Sequence, residues 1–139
     1  MELDRALEFA AGRRNAVLTT LRADGRPQQS VIFYGADADR FTISVTATRA
    51  KTRNLRRDPR AALFIFGEDV FTWVSLDGHV ELSPVAQSPD DAVVDELVEY
   101  YRRGSGEHEN WNEFRRSMVD DQRLVATFVA TSATGILPD

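Results

Sequence analysis

Residues 40–60 read Arg-Phe-Thr-Ile-Ser-Val-Thr-Ala-Thr-Arg-Ala-Lys-Thr-Arg-Asn-Leu-Arg-Arg-Asp-Pro-Arg, and the change of rhythm inside them decides the fold. From Arg40 to Thr46 polar and apolar residues alternate, the period of a half-buried strand. From Arg49 the alternation stops and a basic helix follows. Thr46 or Thr48 is placed to cap it, Leu55 to face the core, and Asp58-Pro59 to stop it. A strand that opens directly into a helix offers the free N–H groups of the first turn to an anion. The threonine hydroxyls add donors there. Arg49, Lys51 and Arg53 lie within reach of a phosphate at that point, an arginine gripping it through a fork and a lysine as a point charge. Arg56, Arg57 and Arg60 lie farther along and suit a second, extended anionic group.

The charge balance sets this stretch apart. The 139 residues carry a net charge of -5, yet residues 49–60 hold six basic side chains and one acidic one, Asp58. The remainder of the chain then has 11 basic and 21 acidic residues. A basic island in an acidic protein has either a specific anionic partner or a specific acidic neighbour. The bland reading is a solvated helix face paired with acids such as Glu96 and Glu99.

The composition narrows the rest. A length of 139 residues, with 42% hydrophobic and 28% charged content, fits one globular domain spanning residues 1–139. The absence of cysteine excludes disulfides, thiolate metal sites and cysteine nucleophiles. His79 and His108 stand too far apart in sequence to suggest a zinc centre, so no metal is expected. No apolar run approaches the roughly 18 residues that span a bilayer, and Met1-Glu2-Leu3-Asp4-Arg5 lacks a signal-peptide layout. The expectation is a cytoplasmic protein without a membrane partner. A pI near 5.1 argues against nucleic acid, whose backbone demands a positive surface.

Outward from residues 40–60, Leu3, Leu7 and Ala10 recur at helical spacing over residues 2–12. Strands are expected at Ala16–Leu21 and Gln29–Tyr34 around the hairpin signal Asp24-Gly25, with a turn over Gly35–Asp39. Ala61–Phe66 follows as a strand. Phe71–Leu82 is then one strand bent at Asp77-Gly78 or a tight hairpin. Ser88 as cap and Pro89 at the first position open a helix with Val93, Val94, Leu97, Val98 and Tyr101 buried. A polar loop leads to a short helix around Trp111–Met118, a last strand Leu124–Val129, and a tail thin in apolar residues. Six or so sequential strands with three or four inserted helices make a mainly β (α+β) protein. A closed or nearly closed antiparallel barrel with peripheral helices satisfies this order, since closure removes exposed strand edges.

Asp24-Gly25-Arg26-Pro27-Gln28, a strand, then Thr-x-x-Arg-x-Lys-x-Arg-Asn-Leu over residues 46–55 and Asp58-Pro59-Arg60-Ala61 resemble the pyridoxamine-phosphate-oxidase-like split-barrel superfamily. More narrowly they are similar to its short branch that uses the deazaflavin coenzyme F420. The resemblance runs from about Arg14 to Leu82 and is loose in the C-terminal third. It implies an FMN-binding-type split barrel and a homodimer with the cofactor at the subunit interface. Thr46, Ala47, Thr48, Arg49, Lys51, Arg53 and Asn54 would hold the phosphate. Gln29, Ser30 and Val31 would lie along the tricyclic ring, partly through their backbone. Arg56, Arg57 and Arg60 would receive the acidic tail, and the partner subunit would add residues near Trp73 or from the C-terminal third. The resemblance leaves FMN open as an alternative cofactor. It departs from a true pyridoxamine phosphate oxidase, because Thr131-Ser132-Ala133-Thr134-Gly135 does not supply the C-terminal arginine motif of those enzymes.

The implied activity is F420H2-dependent reduction, a hydride passing to a small electron-poor organic substrate, with the cofactor carrying the chemistry. Among His79, Tyr34, Tyr100, Tyr101 and Arg115 no proton donor stands out, so no catalytic side chain is assigned. Ser44 and Ser75 lack a histidine–acid arrangement, and Asp90-Asp91 and Asp120-Asp121 read as caps rather than metal ligands. Trp73, Phe64, Phe66 and Phe71 read as core. A non-catalytic cofactor carrier would use the same phosphate loop. A module whose basic helix docks an acidic partner would bind no small molecule.

Overall fold

In Arg40–Thr46 the alternation of the sequence becomes an alternation of burial, with Phe41, Ile43 and Val45 inside the barrel and the residues between them outside. The same rule shapes Asn15–Leu21 in the computed structural model, which describes Met1 to Asp139. The elements in order are α1 (Leu3–Ala11), β1 (Asn15–Leu21), β2 (Pro27–Phe33), β3 (Gly35–Asp37), β4 (Arg40–Thr46) and α2 (Ala50–Arg57). Then come β5 (Arg60–Phe66), β6 (Trp73–Leu82), α3 (Ala92–Ser105), α4 (Trp111–Asp120) and β7 (Arg123–Ile136). All seven strands join one antiparallel sheet in the order β2-β1-β5-β6-β7-β4-β3. It curls until β2 and β4 approach without pairing, so the barrel is split along that seam.

The barrel interior is filled by Leu18, Phe41, Ile43, Leu63, Ile65, Leu76, Leu124 and Phe128, with Leu55 of α2 closing one side. Burying such side chains contributes on the order of 1.5–3 kcal/mol each. Tyr34 stands edge-on to Phe41 and its hydroxyl donates to the Ala10 carbonyl at 2.7 Å, which ties α1 to the barrel. A second cluster, Val93, Val94, Leu97, Val98 and Phe114, seats α3 and α4 against Val125 on the outer face of β7.

Three expectations are corrected and one pair of alternatives is decided. Gly35–Asp37 is a strand paired with Arg40–Thr42, too short to show a period, and the turn is confined to Ala38-Asp39. Of the two alternatives for Phe71–Leu82 the bent strand holds: β6 is one strand with a bulge between Asp77 and Gly78. There the glycine serves close approach, since a Cβ on Gly78 would stand 2.0 Å from the Val129 carbonyl oxygen. Helix α3 starts at Ala92, not after Ser88, because the Asp91 carboxylate accepts from the backbone N–H of Gln87 and Ser88 and closes a turn before the helix. The thin tail is the far arm of β7, where Ser132–Ile136 pair with Trp73–Asp77 while one face stays in solvent.

Candidate cofactor-binding site

The hinge between β4 and α2 builds the site. Arg49 is the N-cap of α2, and no side chain caps it. Thr46 and Thr48 are therefore not caps. Instead their carbonyls accept from side chains one turn ahead, Thr52 Oγ1 at 2.7 Å and Arg53 Nη1 at 3.1 Å. The amides of Thr52 and Arg53 close on the Arg49 carbonyl, which leaves those of Ala50 and Lys51 without a backbone partner.

In front of these amides lies a cleft of about 420 Å³ bounded by Ser30, Ser44, Thr46, Arg49, Lys51 and Arg123. No carboxylate lines it. Lys51 Nζ crosses the seam to donate to Ser30 Oγ at 3.3 Å. Burial lowers the pKa of Lys51, and the nearby Arg49 and Arg123 guanidiniums lower it further. Arg123 Nε is buried without a partner. This donor set suits a phosphate: three cations, free helix amides and hydroxyls, with no counter-charge among them.

The edge of β2 adds a second surface. Tyr34 N–H bonds to the Arg14 carbonyl and Arg22 N–H to the Arg26 carbonyl, so the hydrogen-bonded pairs of this hairpin fall on even residues of β2. The N–H and C=O groups of Gln29, Val31 and Phe33 consequently point away from β1, toward the seam. One is already used, because Tyr100 Oη donates to the Phe33 carbonyl at 3.0 Å. Burial raises the pKa of Tyr100. A cavity of about 760 Å³ opens there, lined by Phe33, Thr42, Tyr100, Arg103 and Thr127. Thr42, Ser44 and Thr46 share one face of β4, so the cavity and the cleft lie end to end along it.

The structure brings Ser30, Thr46, Arg49 and Lys51 together at the cleft. It does not bring Asn54 there. Asn54 is buried, donating to Thr20 Oγ1 at 3.1 Å and accepting from Arg57 Nη2 at 2.8 Å. The Ala47 amide is occupied by the Gln122 carbonyl. Arg57 also reaches the Leu21 carbonyl, Arg60 is paired with Asp58, and Arg53 folds back on its own turn. Arg56 is exposed. The Gln29 side chain bonds to Thr19 and that of Val31 faces outward, so only their backbones meet the seam. Glu96 and Glu99 do not neutralise the basic helix, since Glu99 pairs with Arg102 on its own helix and neither acid has a partner on α2. The reading missed Arg123 and Ser44; Ser44 was legible as the outward residue of an alternating strand, Arg123 was not.

The model of the pyridoxamine 5'-phosphate oxidase family matches residues 3–133. The chain belongs to that family. Within it, a pyridoxine/pyridoxamine 5'-phosphate oxidase from Cupriavidus metallidurans is 32% identical over 94 residues, 66% of this chain. The match spans 42% of that enzyme's length. An F420H2-dependent biliverdin reductase from Mycobacterium tuberculosis is 30% identical over 100 residues, 72% of this chain and 70% of that one. A solved structure of a conserved hypothetical protein from the same organism superimposes with a TM-score of 0.72 at 22% identity, covering 96% of this chain and 82% of the other. Its likeness supports the split-barrel fold.

Proposed function

We propose that the chain is a homodimeric oxidoreductase that binds coenzyme F420 and reduces a small electron-poor organic substrate. The observation that carries this reading is the cleft of three cations without a counter-charge, set beside the unpaired edge of β2. Arg49, Lys51 and the free amides of Ala50 and Lys51 would hold the cofactor phosphate. The backbones of Gln29 and Val31 would meet the polar rim of its ring, as unpaired strand groups seek a partner. The chemistry supplied by the bound cofactor is two-electron hydride transfer to an electron-poor carbon. The adjoining cavity would receive the substrate, with Phe33 and Tyr100 at its wall and the Tyr100 hydroxyl among the groups there able to move a proton.

Dimerisation is supported by the outer face of the sheet. The register places Val31, Val17 and Phe64 in one row, and Phe66, Trp73 and Ile136 in the next. Phe64 stacks on Trp73 with centroids 5.2 Å apart, and Val31, Phe33, Phe66, Phe71 and Ile136 are all exposed. A continuous apolar patch of this kind marks an interface.

Fluorescence titration with F420 and, separately, with FMN tests the proposal. Tighter F420 binding that is weakened in Lys51→Ala supports it. Tighter FMN binding keeps the site but moves the chemistry to the flavin, and binding of neither rejects the cofactor reading.

A further inference from the structure

The phosphate cleft contains one residue that no motif announces. We infer that Arg123, from the C-terminal third of the same chain, is the third cation of the phosphate site and grips the phosphate through its guanidinium fork. This inference rests on the cofactor reading above and names the residue that completes that site.

Local structure aims Arg123 there. Asp121 and Gln122 turn the chain out of α4, with Gln122 at φ 55°, a conformation that reverses direction within two residues. The Gln122 carbonyl then accepts from the Ala47 N–H at 2.9 Å, which locks the turn to the hinge between β4 and α2. With that register set, Arg123 stands opposite Thr46 and its side chain shares the outward face of Thr46 and Ser44. The cleft is thus lined by a residue 77 positions from Thr46.

What Arg123 lacks is as telling as where it stands. Its Nη1 reaches Ser44 Oγ only at 3.5 Å, and its Nε is buried with no acceptor at all. A buried charged donor without an acceptor is costly and calls for one. The protein supplies none, because the six ion pairs of the chain involve Arg5, Arg40, Arg60, Arg102 and Arg115. An oxyanion between Arg49, Lys51 and Arg123 would meet the guanidinium from the cleft and compensate its charge, the planar donor geometry for which a guanidinium is suited and an ammonium is not.

A residue that merely stitched β7 to β4 through Ser44 would look similar in a stability measurement, so the test must isolate the phosphate. FMN and riboflavin differ by that group alone. Their dissociation constants, and that of F420, are to be measured by fluorescence for the wild type, Arg123→Met and Arg123→Lys. The expected result is that Arg123→Met weakens FMN and F420 by about 10- to 100-fold, as loss of a charge-assisted pair should, and leaves riboflavin within about twofold by the same reasoning. Arg123→Lys, which keeps the charge and the stem, recovers part of the loss. It also serves as the test if the methionine variant does not fold. Equal weakening of FMN and riboflavin overturns the inference, as does no weakening of either. A wild type that binds no F420, and FMN no better than riboflavin, instead removes the phosphate site itself, and the cofactor reading with it.

Discussion

Lys51 is held in a position that its own chemistry resists. Its ammonium is partly buried and faces two guanidiniums, so its pKa lies below the ordinary 10.5. A bound phosphate opposes that shift and moves the pKa up again. Anion binding is therefore linked to proton uptake between the lower free-state value and the higher bound-state value. The expected outcome is that FMN affinity falls relative to riboflavin affinity as pH rises through this window, which opens below where an unperturbed lysine would titrate. Titrations across the alkaline range check it, and parallel curves for the two ligands would exclude Lys51 from the phosphate site. Asn54 shows the opposite case. The family resemblance made it a phosphate ligand, but it links Thr20 to Arg57 beneath α2. Asn54→Ala is expected to cost about 1–3 kcal/mol in a denaturant melt, the penalty for stranding buried polar groups. Ligand affinity of the folded variant should change little. Motif spacing along one helix could name Arg49 and Lys51, which share a turn. It could not name Arg123, whose place depends on a strand register set 77 residues away.

At the scale of elements, β2 divides its backbone between two tasks. Even residues bond to β1, and odd residues face the seam. A proline probes this division, because it deletes one N–H without adding charge. Val31→Pro removes an N–H that the ladder does not use, as edge strands tolerate. It is expected to keep the fold while weakening riboflavin and FMN alike. Ile32→Pro deletes a ladder bond to Ala16 and buried packing, and should lower stability by at least about 1 kcal/mol more than Val31→Pro. Equal destabilisation by the two prolines, read from melts, would refute the odd–even assignment. Most strands were legible here because half-burial writes a period of two, as in β1 and β4. The far arm of β7 was not legible. It is Ser- and Thr-rich and exposed on one face, so pairing with β6 leaves no hydrophobic trace. Asp77-Gly78 left bend and hairpin both open, since a pair that can mark a hairpin turn here makes room for the Val129 backbone.

At the scale of the molecule, two outer surfaces of the barrel meet at β2. One carries the cationic cleft, and the other carries Val31, Phe33, Phe66, Trp73 and Ile136. Composition showed the first as a charge imbalance. It could not show the second, because Trp73, Phe64 and Phe66 read as core until the register put them on the outside. Phe33 stands where the two surfaces meet: the residue is 66% exposed, and its carbonyl holds Tyr100 at the cavity. A second copy seated on this face would bury Phe33 and bring its own residues to the rim of the cofactor site. Phe33→Glu places a charge where that copy must pack, a desolvation cost with no partner to offset it. It leaves the barrel interior untouched. Sedimentation velocity should then show the wild type as two 15.6-kDa chains and the variant as one, with unchanged circular dichroism. If the dimer also completes the cofactor site, F420 affinity falls in the variant in step with dissociation and recovers at protein concentrations that restore the dimer. A monomeric variant that binds F420 as tightly as the wild type would confine the site to one chain.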